Sequence, residues 1–181
     1  MSNRYVALLR GVNVGGNHRV PKQDFKRLLE EAGCLDVTIY LNSGNAVFTY
    51  DGEVSNEQIQ HPLESFFNFS IPTLVLGAEK IQKIAALIPP EWSNDTPQSD
   101  KSGQKSDILY LFDEINTPDI IDKMGYRPEI ETMTYTDGAV LANISRKNQS
   151  KGSLQKLIGT NLYTQMTIRN INTARKLAEL L

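Results

Sequence analysis

The 181-residue sequence has one cysteine, two histidines and one tryptophan. A lone Cys34 cannot build an intrachain disulfide framework and fits a reducing compartment. His18 and His61 have no metal-ligand spacing with each other or with Cys34. No apolar run approaches the ~20 residues of a membrane-spanning helix, and no secretory h-region is present. The pattern of a nucleophile elbow and that of paired catalytic carboxylates are both missing, so the residues give catalysis no support. These absences point to a soluble cytoplasmic protein with no membrane partner.

A hydrophobic content of 40% is enough for an ordinary packed core. The formal net charge of −2 argues against general nucleic-acid affinity, yet its distribution is uneven. Residues 1–30 carry six Lys/Arg against two Asp/Glu, and residues 146–181 carry seven against one, which leaves the middle acidic. Such asymmetry makes either a local basic surface or two solvated helix faces.

Hydrophobic patterning divides the chain into two similar halves. Tyr5–Leu9 reads as a buried strand. Pro21 suits a first helical position, Phe25, Leu28, Leu29 and Ala32 share one face, and Gly33 suits the stop. The runs Val37–Leu41 and Ala46–Tyr50 form a hairpin through Asn42-Ser43-Gly44-Asn45. Ile59, Leu63, Phe66 and Phe67 fit a helix that Pro62 delays or kinks. A strand over Ile71–Leu76 and a helix over Ala78–Ile88 follow. After a polar stretch, Asp107–Phe112 is a strand and Thr117–Met124 a short helix. Glu131–Thr136 and Val140–Ile144 form a second hairpin through Asp137-Gly138. A helix capped by Ser150 and stopped at Gly159, a strand over Thr164–Ile168 and a helix over Ile171–Leu181 complete the pattern.

Each half reads β-α-β-β-α-β followed by a helix, the split βαβ order of ferredoxin-like domains. The expected fold is α+β, with two tandem ferredoxin-like subdomains related by an internal repeat. Their expected bounds are 1–88 and 106–181, joined by a polar, proline-containing linker at 89–105. Trp92, the one large apolar residue of that linker, is expected to anchor it.

Chemistry concentrates in a few polar segments. Arg10-Gly11-Val12-Asn13-Val14-Gly15-Gly16 follows a strand, but its Gly-x-Asn-x-Gly-Gly spacing is not the Gly-x-Gly-x-x-Gly of a dinucleotide fold. It is not a P-loop either. Arg10 can still fork onto a phosphate or carboxylate, and Gly11, Gly15 and Gly16 can turn backbone N–H groups into an anion nest around Asn13. The bland alternative is a long connection with ordinary turn geometry. Ser43, Gly44 and Asn45 make a second polar turn, and the split βαβ order does not require these two loops to lie together. His18 reads as an exposed loop histidine and Cys34 as a packed one. In the second half, Arg146, Lys147, Ser150, Lys151 and Lys156 surround the expected helix start at Ser150, a phosphate site or a simple cap with a basic face. Arg169 and Asn170 precede the last helix, where Asn170 or Asn172 can cap. Phe48 and Tyr50 share a strand face as a base-stacking pair or as core.

Three blocks together resemble a known bacterial family: Tyr5–Gly16, Tyr40–Phe48 and Thr167–Leu177. In these blocks the chain is similar to members of domain-of-unknown-function family 1697. The resemblance implies a tandem repeat of two α+β subdomains. It also implies signature positions at Arg10, Gly11, Asn13, Gly15, Gly16, Ser43, Gly44, Asn45, Arg169, Asn170 and Thr173, without catalytic roles. Ile171 stands where the family often has a tryptophan.

Three functions compete. The first is binding of a phosphate-bearing ligand, a nucleotide or short nucleic acid, by the Arg/Asn/Gly loops. The second is an enzyme acting on a small anionic metabolite, and the third is a protein-interaction module. No cofactor or oligomeric state is legible.

Overall fold

The computed structural model describes residues 2–95, 97 and 99–181. It is a mixed α+β fold with two four-stranded antiparallel sheets. The chain forms two compact units. One runs to Gln82 and takes in Leu177–Leu181, and the other spans Lys83–Lys176.

The first unit contains β1 (Ser2–Leu9), α1 (Lys22–Glu31), β2 (Leu35–Tyr40), β3 (Asn45–Asp51), α2 (Asn56–Phe67), β4 (Thr73–Gly77) and the start of α3 (Ala78–Ala86). Its strands lie in the order β2-β3-β1-β4. β1 has neighbours on both edges, and Val6, Ala7, Leu8 and Leu9 are buried. Ala7 and Leu9 project onto one face and meet Phe25, Leu28, Leu29, Phe48, Ile59 and Leu63. Burying each large side chain there contributes about 1.5–3 kcal/mol. Phe48 is fully buried, and its ring stacks on that of its cross-strand partner Tyr5. The strand aromatic that resembled a base-stacking platform is core.

Pro21 stands one residue before α1 in extended backbone, and Phe25, Leu28 and Leu29 recur at helical spacing on the buried side. α2 opens with a capping box between Ser55 and Gln58 and runs through Pro62 without ending. Its Asn56, Gln60 and Glu64 then satisfy the outer edge of the sheet. Asn56 Oδ1 accepts from Val75 N at 2.7 Å, Gln60 Oε1 from Thr73 N at 3.1 Å and Glu64 Oε1 from Ile71 N at 2.7 Å. Four helical residues rise about 6 Å, and two strand residues span about 6.7 Å. Every fourth helix residue can therefore meet every second residue of β4 and of the extended chain that leads into it at Ile71. An edge that would otherwise invite pairing with another strand is closed by side chains.

The second unit contains β5 (Gln104–Leu111), α4 (Ile120–Lys123), β6 (Glu131–Thr136), β7 (Ala139–Ser145), α5 (Ser153–Leu157), α6 (Asn161–Thr164), β8 (Met166–Asn170) and most of α7 (Ile171–Glu179). Its strands lie in the order β6-β7-β5-β8. Leu109, Leu111, Met133, Val140, Leu157 and Met166 form its core. Trp92 is buried, and the Arg175 guanidinium donates to the carbonyls of Pro89 and Trp92 at 3.1–3.3 Å. Trp92 therefore does anchor its segment, and α7 supplies the clamp.

One expected helix is redrawn. Ser150 does not cap a helix ending at Gly159; Arg146–Lys151 is a 3-10 segment and α5 begins only at Ser153. Gly152 lies in a crowded spot between the two segments. A β-carbon there would lie 2.7 Å from Ile144 Cδ1 and 3.0 Å from Glu131 Oε2, so the chain passes in extended form at the one residue small enough. The helix then starts where Glu131 can accept from Ser153 N at 3.1 Å.

Candidate functional site

Register brings the two N-terminal loops together. β1 and β3 are antiparallel, and Leu8 stands opposite Asn45. The end of β1 therefore lies beside the beginning of β3, and the loop after β1 leaves the sheet at the same end as the β2–β3 turn. Leu9 N donates to Gly44 O at 2.8 Å, and Asn13 Nδ2 donates to Asn42 O at 2.6 Å. The topology that left these loops unrelated in sequence in fact joins them.

Asn13 is the clip. Its Nδ2 also donates to Val20 O at 3.1 Å, its Oδ1 accepts from Val20 N at 2.9 Å, and its backbone N–H reaches His18 O at 3.0 Å. The residue sits at φ 57°, a left-handed conformation that asparagine tolerates better than most side chains. Residues 13–20 are thereby closed into a compact loop. Within the turn, Asn45 is fully buried, and its Nδ2 donates to Tyr40 O and Ser43 Oγ, both at 2.9 Å. Gly44 is packed under Leu9 and Val12, while Gly11, Gly15 and Gly16 face open space.

Between the clipped loop and the start of α1 lies a cavity of about 370 Å³ walled by Asn13, Gly16, Arg19, Val20, Pro21, Lys22 and Asn42. Arg19 and Lys22 are exposed, and neither makes an ion pair among the described residues. No side chain caps the N-terminus of α1. Its first backbone N–H groups and the positive end of its dipole stand at the cavity wall formed by Pro21 and Lys22. Sequence reasoning selected Asn13 and Gly16 but passed over Arg19, Lys22 and Asn42. Two cations flanking Val20-Pro21 directly before a helix were the available signal.

The other sequence-selected residues fall elsewhere. Arg10 is half-buried at the end of β1, its N–H bonded to Pro72 O at 2.9 Å, and it is not part of the cavity wall. His18 is exposed on the loop, its ring stacked 4.7 Å from Phe69. Cys34 is packed, and burial pushes its thiol up to about 11, so it holds little thiolate at neutral pH.

Arg146, Ser150, Lys151, Arg169 and Asn170 belong to the second unit. The anion at the start of α5 is the protein's own: Glu131 is buried, and its carboxylate accepts from the N–H groups of Ser153 and Arg127. Arg127 Nη1 also donates to Lys151 O at 3.1 Å, tying the 3-10 segment down. Asn170 Oδ1 accepts from Thr173 N at 2.9 Å, which is the cap expected for α7.

Arg169 is 7% exposed, and its Nη1 donates to Thr167 Oγ1 and Ile168 O at 2.9 and 2.8 Å. Burial lowers its pKa to about 10, with Tyr110 acting in the opposite direction. The Tyr110 hydroxyl is buried with no hydrogen-bond partner among the described residues, and burial drives its pKa well above the ordinary phenol value. Tyr110→Phe is expected to stabilise the fold by about 1–2 kcal/mol, read as a higher urea midpoint, because it removes an unsatisfied polar atom. The sign of the pH effect follows from the raised folded-state pKa. Above about pH 10, its unfolded pKa, the unfolded chain ionises Tyr110 while the folded chain keeps it protonated, so the parent loses stability as pH rises further. The stabilisation from Tyr110→Phe should therefore widen on the alkaline side.

Among the described residues, no group of three or more His, Cys, Asp or Glu could hold a metal ion. No helix there is long and apolar enough to cross a membrane. With this geometry in place, comparison with known proteins is informative: the model of a protein family of unknown function, DUF1697, matches residues 2–141. The chain belongs to the DUF1697 family. That match covers the clipped loop, the β2–β3 turn and the whole cavity wall. Among solved structures, the chain is similar to the conserved bacterial protein SP0830 from Streptococcus pneumoniae, at 26% identity and a TM-score of 0.76 over 99% of each chain. A comparison with curated proteins gave no match. DUF1697 membership thus identifies relatives and leaves the chemistry to be argued from the site.

Proposed function

We propose that this protein binds a phosphate-bearing ligand, a nucleotide or short nucleic acid, in the cavity between residues 13–22 and the β2–β3 turn. The observation that carries this reading is the pairing of two free cations, Arg19 and Lys22, with an uncapped helix start on one cavity wall. Phosphate oxygens are strong acceptors, and a helix N-terminus supplies N–H donors and positive potential toward them. In this reading Gly11, Gly15 and Gly16 keep the loop low so that a ligand can approach backbone donors. Arg10, Ser43, Gly44 and Asn45 hold the platform.

The fold belongs to the same proposal. The shared strand order of the two sheets supports a tandem repeat of ferredoxin-like subdomains, near 1–88 and 106–181 with 89–105 between them. The lone buried cysteine supports a cytoplasmic setting.

The test is equilibrium binding of ADP and of a short oligouridylate to the intact chain and to the double variant Arg19→Glu/Lys22→Glu. Reversing two charge-assisted contacts should weaken binding about a hundredfold or more. The melting temperature should stay within a degree or two, since both side chains are exposed and unpaired. Equal affinity in the two proteins would overturn the proposal.

A further inference from the structure

The second unit has a cavity of a different character, independent of the phosphate reading. It measures about 190 Å³, and its apolar walls are Met133, Ala142, Ile144, Leu154, Ile158 and Ile168. Three charged residues also line it: Lys105, Asp107 and Glu131. It lies between the sheet and α5, on the helix-covered face.

The three charges are not equivalent. Glu131 is committed to the N–H groups of Arg127 and Ser153, so it is fixed and contributes a standing negative charge. The Asp107 side chain is 5% exposed, and its one partner is Lys105, whose Nζ meets Oδ2 at 2.6 Å. The other Asp107 oxygen has no hydrogen bond among the described residues. That oxygen keeps access to the open space of the cavity, where a donor can reach it. Lys105 is 32% exposed and sits on a flexible stem. It can swing to solvent, whereas Asp107 and Glu131 cannot. With Lys105 withdrawn, the cavity presents two fixed negative charges among aliphatic side chains, with Asn143, Gln149, Gln155 and Tyr163 completing the lining.

We infer that this cavity is a binding site for a small amphipathic cation: a primary amine with a short branched apolar body. The ammonium takes the place of Lys105 at Asp107, and the hydrocarbon fills the space between Met133, Ile144, Leu154 and Ile158. An anionic ligand has only Lys105 to greet it and meets two buried carboxylates. A neutral alcohol gains the apolar contacts without the charge-assisted bond.

The experiment titrates the intact protein with isopentylamine, isopentanol and isovalerate, following side-chain methyl signals by NMR. Isopentylamine is expected to saturate and shift the methyls of Met133, Ile144, Leu154 and Ile158. It should bind more tightly than isopentanol, and by at least about tenfold, the value of one hydrogen bond to a charged group, once Lys105→Met removes the ammonium it has to displace. Isovalerate should not compete. Asp107→Asn should lose that advantage, while Lys105→Met, which removes the competing ammonium, should hold or raise amine affinity. Isovalerate binding as well as the amine, no saturable amine binding, or a Lys105→Met protein that loses the amine would each overturn the assignment. None of these outcomes bears on the Arg19/Lys22 site, which lies in the other unit.

Discussion

Gly44→Ala is expected to cost about 3 kcal/mol or more, measured as a fall in urea stability with an unchanged slope. Two independent penalties combine there. The residue adopts φ +73°, and a β-carbon would stand 2.7 Å from Leu9 Cβ and 2.8 Å from Val12 Cγ2. Left-handed backbone costs an alanine about 1–2 kcal/mol, and forcing an extra methyl into packed side chains adds about 1–3 kcal/mol. Leu9 and Val12 cannot yield easily, because Leu9 N is itself bonded to Gly44 O. The control is Gly16→Ala. Its φ of +79° is equally left-handed, but nothing lies within 4 Å of the added carbon. Only the backbone penalty of about 1–2 kcal/mol should remain. Equal losses at the two positions would refute the packing argument for Gly44 and with it the account of how the two loops are pinned.

Glu131→Ala is expected to destabilise the second unit by about 2–4 kcal/mol. The carboxylate satisfies the N–H groups of Arg127 and Ser153, at 2.9 and 3.1 Å, in a setting where Glu131 itself is 7% exposed. Leaving buried donors unpaired costs about 1–3 kcal/mol each, partly offset because a charge no longer has to be desolvated. Hydrogen exchange should report the loss locally, with the Ser153 amide exchanging fastest. A Glu131→Ala protein as stable as the parent would mean that this carboxylate is not the cap of α5.

These two residues also mark where sequence reasoning reached and where it stopped. The β-branched and aromatic runs announced the strands, and Pro21 and Gly33 announced helix limits, because those signals are local. Gly44 was legible as a turn glycine. That it packs beneath Leu9 depends on the register of β1 with β3, which pairs residues 37 apart, Leu8 and Asn45. No local pattern carries that register. The same register explains why the N-terminal loops meet, although each looked self-sufficient. Ser150 failed as a cap for a related reason: its propensity was sound, but Glu131, 19 residues earlier in sequence, supplied a better acceptor at Ser153. Asn170 was legible as a cap for the last helix and is one, whereas the burial of Arg169 as a donor within its strand had no local signal. Arg19 and Lys22 were missed because exposed loop cations are common. Only the cavity and the uncapped helix beside them set these two apart.

The central claim is that phosphate groups are held at the start of α1, and backbone amide shifts during titration with ADP test it most directly. Saturable shifts are expected at Asn13, Gly16, Arg19, Val20, Lys22 and Asn42, with the first-turn amides of α1 moving most. Arg19→Glu/Lys22→Glu should show none of them. No shift at these amides under saturating ADP, or shifts confined to the second unit, would contradict it.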